Sequence, residues 1–266
     1  MPNNVTRSKG VYASKIIKAG ALLADTKTLL ALWDSAATKT ENLKRFRSQN
    51  LFGKASRARV DDILGIFSQR YLSDESVLNS LTCFVNERLP TDALNRVLYF
   101  HACQADHLLH DVVVAVLYDF HMRGRDEISQ IEIQRIISQW VAAGKTTEDW
   151  SGSTIERVTQ GLLSALRDFG VLTGAVNKRL AAIFLPTEAF AYVAYYLWQR
   201  FRSGQVLLQS DEWKLFMLSP PVVERLFLEA HKNGLLEYHA AGSVIRIDFP
   251  AQTLEEYAHV IVERSH

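Results

Sequence analysis

STIERVTQGLLSALRDFGVLTGAVNKRLAAIFLP, residues 153–186, is the stretch on which the fold turns. Ser153 is a helix-capping type, and the apolar residues that follow recur at helical spacing as far as Phe169, where Gly170 stops the helix. Val171–Thr173 and Leu180–Leu185 then read as short strands, with Gly174–Arg179 as the turn, and Pro186 ends ladder pairing. Immediately upstream, Ser129 opens another helix running to Trp140, and a loop carries Trp150 and Gly152. Helix, helix, hairpin, helix is the order of a winged helix-turn-helix.

The same order returns 64 residues later without a gap. Gly170 and Pro186 match Gly234 and Pro250, and between them Leu172, Ala181, Ile183 and Leu185 meet Leu236, Ile245, Ile247 and Phe249. The strand residues therefore stay in phase. In the flanking helices Val158, Leu162 and Leu163 match Val222, Leu226 and Phe227, while Phe190, Tyr196 and Leu197 match Leu254, Val260 and Ile261. The competing reading is two unrelated helix-hairpin-helix segments.

Upstream of Arg125 the chain reads as successive amphipathic helices. They open at Asp25 and near Thr40, Ser56, Asp74, Thr91 and Asp106, with Gly53, Pro90 and Gly124 as punctuation. Leu108, Leu109, Val112, Val113, Val116, Leu117 and Phe120 form one apolar stripe, expected at the centre of a bundle. The predicted fold is mainly α: an N-terminal helical bundle over residues 1–125, then two winged-helix-like units with small β-hairpins over 126–202 and 203–266.

Composition narrows the class. At 48% hydrophobic and 22% charged residues, with 6 prolines and 13 glycines, the 266-residue chain is that of an ordinary folded protein. The apolar run Leu108–Phe120 is 13 residues long and holds His110, Asp111 and Asp119, too short and too charged for a membrane span of about 20 residues. No signal-peptide pattern follows the basic Met1–Gly10, so a cytoplasmic protein is expected. Cys83 and Cys103 lack metal-type spacing and read as small core hydrophobes in a reducing compartment. The net charge of +1 hides an asymmetry: residues 1–70 hold 13 Lys and Arg against 5 Asp and Glu, whereas residues 71–266 hold 17 against 24. Such segregation points to a surface facing a polyanion.

The candidate nucleic-acid-binding residues follow from that asymmetry. Lys44, Arg45, Arg47, Lys54, Arg57 and Arg59 surround the turn Gln49–Gly53, and Ser56 opens the next helix, whose N-terminus offers backbone N–H groups to phosphate. The competing reading is a solvated surface that pairs these cations with Glu41, Asp61 and Asp62. In the first hairpin unit Arg157 and Arg167 lie on the candidate recognition helix, Thr154 and Thr159 near its start, and Asn177, Lys178 and Arg179 at the wing tip. Residues 153–186 carry four cations and two acids, but 219–249 carry three cations and four acids, so the second unit is expected to contact protein or pack internally.

His101, Cys103, Asp106, His107, His110, Asp111 and His121 are the one cluster resembling a metal or catalytic site. Its histidines fall on a helix otherwise devoted to packing, without ligands supplied by other helices, and core or surface histidines are the reading adopted. No phosphate-binding glycine loop, GxSxG elbow or HExxH pair occurs, so no cofactor, metal or enzymatic activity is expected. Trp33, Trp140, Trp150, Trp198 and Trp213 read as core anchors.

Tyr12-Ala-Ser, Gly20-Ala-Leu-Leu, the turn Asn50-Leu-Phe-Gly-Lys-Ala-Ser-Arg-Ala-Arg-Val and the helix end Gln69-Arg70-Tyr71-Leu72 together resemble the BrxA family across nearly the whole chain. BrxA is a small component of BREX, the bacteriophage-exclusion systems that methylate host DNA and block phage replication. The resemblance implies an anti-phage defence role with other BREX components as partners. It also implies a helical fold likened to that of NusB, and duplex DNA as ligand, as for members regarded as DNA binders. An inner-membrane label applied to some members does not fit this sequence. The sequence leaves a homo-oligomer open, and no catalytic motif is carried over from the family. The rivals are a protein scaffold of the defence complex and an RNA-binding regulator.

Overall fold

The computed structural model describes residues 11–49, 51, 53, 54, 56–242 and 244–265. In chain order the helices are α1 (Ile16–Ala19), α2 (Leu23–Ala31), α3 (Lys39–Gln49), α4 (Arg57–Tyr71), α5 (Glu75–Asn86), α6 (Thr91–Ala105), α7 (His107–Val112) and α8 (Tyr118–Met122). β1 (Glu127–Ile128), α9 (Gln130–Ala142), α10 (Gly152–Asp168), β2 (Leu172–Thr173), β3 (Lys178–Leu180), α11 (Thr187–Phe201) and α12 (Gly204–Leu208) follow. After a 3₁₀ turn at Asp211–Phe216 come α13 (Pro220–Lys232), β4 (Glu237–Ala241), β5 (Val244–Asp248) and α14 (Leu254–Glu263). The fold is mainly α with small antiparallel hairpins, as the sequence predicts.

Short polar side chains start the helices where capping chemistry places them. Ser56, Asp74, Asp106 and Ser129 each accept a hydrogen bond from a backbone N–H of the first turn. Two expected caps shift. Asp25 lies inside the first turn of α2, and Ser151 rather than Ser153 caps α10, its hydroxyl accepting from Thr154 N. The helix expected near Thr40 opens with a reciprocal box: Thr38 Oγ1 accepts from Glu41 N at 3.2 Å and Glu41 Oε2 from Thr38 N at 2.8 Å.

Contacts gather the chain into two compact units, one of residues 1–21 with 103–181 and one of 22–102 with 182–266. The core of the first unit is the continuous helical run of α7, a π turn at Val113–Leu117, and α8. Its predicted stripe is buried throughout, but the single regular helix expected there is interrupted. The reason lies in the spacing: Leu108, Val112, Val116 and Phe120 step by four, and each such step overshoots a 3.6-residue turn by about 40°. One wider turn takes up that drift. In the same unit α9 packs on α10, and the inward face of α10 buries Ile155, Val158, Leu162, Leu163 and Leu166. Gly161 lets α1 approach closely, since a Cβ there would stand 3.0 Å from Ile16 O.

Behind α10 lies a three-stranded sheet in the order β1-β3-β2. Leu172 pairs with Leu180, and on the other edge Glu127 pairs with Arg179 and Ile128 with Lys178. The second strand therefore runs Lys178–Leu180 rather than the expected Leu180–Leu185, and residues 181–185 form no strand. A two-residue β1 carries too little alternation to be legible in sequence, yet it holds this register. Gly174 turns the hairpin at φ +83°, where a Cβ would meet Asn177 O at 2.0 Å.

In the second unit α11 is buried on nearly every side, with Ala189–Tyr195 and Leu197 all inaccessible, and α12, α13 and α14 pack around it. Phe190 stacks on Trp213 at 4.9 Å and meets Phe227 edge-on at 4.8 Å, while Trp213 Nε1 donates to Leu207 O. The 64-residue correspondence is mirrored at the helix ends: Val171 N bonds Leu166 O and Leu235 N bonds Ala230 O, each across a glycine of positive φ. Leu172 and Leu236 are both buried, as are Leu163 and Phe227 and likewise Leu197 and Ile261.

Gly204 sits where α12 crosses β5, and a Cβ there would fall 2.5 Å from Ile245 O. Gly204→Ala is expected to destabilise the chain by about 1–3 kcal/mol in denaturant unfolding. Gly65→Ala, inside α4 with open space around it, should stabilise by up to about 1 kcal/mol. Equal effects at both positions would contradict the close approach.

Candidate nucleic-acid interface

The basic corner forms only in part. Arg47 Nε donates to Asp61 Oδ1 at 2.6 Å, tying α3 to α4, and this is one of the pairings of the competing surface reading. Lys54 Nζ lies 2.8 Å from Asp25 Oδ1, a partner not anticipated. Arg45 turns inward: its guanidinium donates to Leu32 O and to Asn42 Oδ1, and lies over the Phe46 ring. It closes the loop between α2 and α3. Ser56 accepts from Arg59 N at 3.3 Å, and Arg59 is half-buried. Lys44 and Arg57 are exposed and make no ion pair among the described residues. Asn50, Phe52 and Ala55 of the turn, and the basic Met1–Gly10, lie outside the described residues.

In the first unit the outward side of α10 carries Ser153, Arg157, Gln160, Ser164 and Arg167, which share one stripe at helical spacing. Arg157 is exposed and without an ion pair among the described residues, whereas Arg167 is held by Asp168 at 2.8 Å and Gln160 donates to Glu156 at 3.2 Å. Thr159 does not belong to this face, being buried and bonded to Ile155 O. Lys178 and Arg179 stand in β3 rather than at the wing tip. Lys178 Nζ folds back onto Gly174 O and Ala175 O, and Arg179 lies 3.0 Å from Asp126 and 3.7 Å from Glu127. Pairing β1 with β3 brought those carboxylates beside it.

The histidine cluster separates. His101 is buried in the second unit, 2.9 Å from Tyr192 Oη, and burial pushes its pKa down to about 3. In the first unit His110 Nδ1 donates to Asp111 Oδ1 at 2.9 Å, Tyr12 Oη donates to Asp111 Oδ2 at 2.6 Å, and Lys145 Nζ donates to Tyr12 Oη at 3.3 Å. Burial acts to raise the Asp111 carboxyl, but the hydrogen bonds from His110 and Tyr12 outweigh it and hold the group below its ordinary value. The doublet thus anchors the Tyr12 segment, which also bonds Lys145 O through its backbone N–H. Nothing in the sequence joined Tyr12 to Asp111, 99 residues apart. Cys83, Glu87 and His259 form the one group of three metal-ligating side chains found among the described residues, and it too was missed.

The BrxA family matches residues 10–197, well over half of the chain. The chain belongs to the BrxA family. Membership associates this BrxA-family protein with bacteriophage-exclusion defence and with other BREX components as partners. Among solved structures it is similar to an uncharacterized protein from Magnetospirillum magneticum, at 16% identity and TM-score 0.59, covering 71% of this chain and 94% of that one. That likeness concerns the fold alone. No curated protein matches the chain. None of the described helices is long and apolar enough to cross a membrane.

His101 generates a pH prediction. The unfolded imidazole titrates near 6.5 and the folded one near 3, so between these values the unfolded state binds more protons. Stability is complete above 6.5 and falls with pH below it, by up to about 1.4 kcal/mol per pH unit. In denaturant unfolding, His101→Gln should flatten this slope between pH 6.5 and pH 4. An unchanged slope would assign the acid sensitivity to another group.

Proposed function

We propose that this BrxA-family protein binds duplex DNA as a non-catalytic accessory of a BREX defence system, with α10 as the helix that enters the major groove. The carrying observation is the outward stripe of α10. Arg157, exposed and free of carboxylates among the described residues, stands on it beside Gln160, on a helix whose other face is locked into the core. The α9–α10 pair backed by a β1-β3-β2 sheet supports a winged helix-turn-helix, in which the second helix reads the groove and the hairpin lies along the backbone.

In the second unit the exposed Lys44 and Arg57, with the N-terminal amides of α4 beside Ser56, suit phosphate contacts. Arg47, Lys54 and Arg179 contribute less, because each is already answered by a carboxylate. Thr154 Oγ1 lies 3.0 Å from Ser151 Oγ within the cap, which leaves Arg157 and Gln160 for base edges and favours weak sequence preference.

A scaffold reading has its own observation. On the second, more acidic helix-hairpin-helix, Leu228 and Val244 are exposed apolar residues, at 44% and 68%, and suit contact with other defence proteins.

Gel-shift titration of duplex DNA separates the readings. Affinity should fall with salt at a log-log slope of about −0.9 per neutralised phosphate. Arg157→Glu should cost about tenfold or more in affinity, and Lys44→Glu with Arg57→Glu should flatten the slope by about one phosphate each. Asp61→Asn, which releases Arg47, should strengthen binding. No complex at low salt would overturn the proposal in favour of the scaffold, and preferential displacement by structured RNA of equal length would move it to an RNA ligand.

A further inference from the structure

Three side chains of the second unit that play no part in the duplex reading meet at one corner. Cys83 lies in the last turn of α5, Glu87 caps that helix four residues on, and His259 stands in α14, which packs along α5. Cys83 Sγ is 3.5 Å from His259 Nδ1, and that nitrogen is 2.9 Å from Glu87 Oε1. One ligand atom from each residue lies within 4.8 Å of the others. The thiol is buried, and the imidazole and carboxylate are exposed at its mouth.

We propose that Cys83, Glu87 and His259 form a binding site for a divalent transition-metal ion of the zinc type. A sulfur, an imidazole nitrogen and a carboxylate oxygen are the donor types such an ion takes, and three protein ligands leave a fourth position to water. Zinc bond lengths place sulfur and nitrogen about 3.6 Å apart in a tetrahedral site, so the Cys83–His259 pair already stands at coordinating separation. The His259–Glu87 contact has to open by about 0.5 Å as its hydrogen bond is exchanged for two metal bonds, and both side chains border solvent.

The backbone supplies the preorganisation. Residues four apart on one helix share a face, which fixes Cys83 and Glu87, and the packing of α14 along α5 brings His259 over them. Glu255, one turn before His259 and held by Asn79 Nδ2 at 3.1 Å, adds negative potential to the same corner. A thiol ligand disfavours calcium and magnesium, which take oxygen donors. Burial, reinforced by Glu87 and Glu255, pushes the free thiol up to about 12, so it carries its proton before metal enters. On binding, the S–H bond of Cys83 and the Nδ1–H bond of His259 break, both protons leave to solvent while the imidazole keeps its proton on Nε2, and the S–metal and N–metal bonds form. The bound ion would clamp two helices whose ligands are 176 residues apart in the chain.

The test uses the tag-free full-length chain, stripped with a chelator and titrated with Zn²⁺ against a chromophoric competitor and with Co²⁺ for absorption. Expected are one zinc per chain, a near-ultraviolet thiolate-to-cobalt charge-transfer band, and a higher unfolding temperature with zinc. Cys83→Ser should abolish the band. Glu87→Gln and His259→Gln, surface changes that leave packing intact, should each weaken zinc by at least about tenfold. His121→Ala, an exposed histidine elsewhere, should change nothing. Stoichiometry below about one-tenth at equimolar zinc, absence of the band, or unchanged affinity in both surface variants would overturn the site. Duplex binding is read in a separate assay and is unaffected by that outcome.

Discussion

The burial of one face of α10 is the constraint on which the rest depends. Ile155, Val158, Leu162, Leu163 and Leu166 are removed from water together, each contributing about 1.5–3 kcal/mol of transfer free energy. That burial sets the rotation of the helix about its axis. Ser153, Arg157, Gln160, Ser164 and Arg167 face outward because the opposite side has no alternative, and the glycine-terminated turn after Phe169 feeds the chain into β2 at a defined place. The surface offered to a partner is thus the complement of the core.

Charge is distributed by a different rule. The excess of cations in residues 1–70 survives in the fold as composition, but folding sorts its members. Arg45 becomes a backbone tie, Arg47 and Lys54 acquire carboxylates, and Lys44 and Arg57 remain directed to solvent. The exposed Arg47–Asp61 pair is worth about 0–1 kcal/mol, so its importance lies less in stability than in lowering the potential presented to a polyanion. Arg179 follows the same pattern. Its partners Asp126 and Glu127 arrive through strand pairing, and a cation expected at a loop tip is thereby answered in the ladder.

Long-range polar contacts account for what the His-Asp doublet and the cysteines do. His110 and Asp111 were legible as neighbours, but the carboxylate acts on Tyr12, and through it on Lys145, to hold an N-terminal segment in place. Cys103 is the small core hydrophobe expected of both cysteines. Cys83 is buried as well, yet its sulfur looks out on an imidazole and a carboxylate. Both constellations bring together residues whose sequence separation carries no signal, because only packing of their helices makes them neighbours.

By itself the sequence determined the helical class, most helix starts, the hairpin after Gly170 and its downstream counterpart. Capping, periodicity and glycine turns are local chemistry, acting within a few residues. It also carried the family, through the turn Asn50–Val60 and the shorter N-terminal matches. Tertiary structure alone decided the grouping of residues 1–21 with 103–181, the third strand that pairs with β3, the π turn at Val113–Leu117, and which cations stay unanswered. These depend on partners distant in the chain, and a charge or a thiol takes its character from whatever the fold sets within a few ångströms of it.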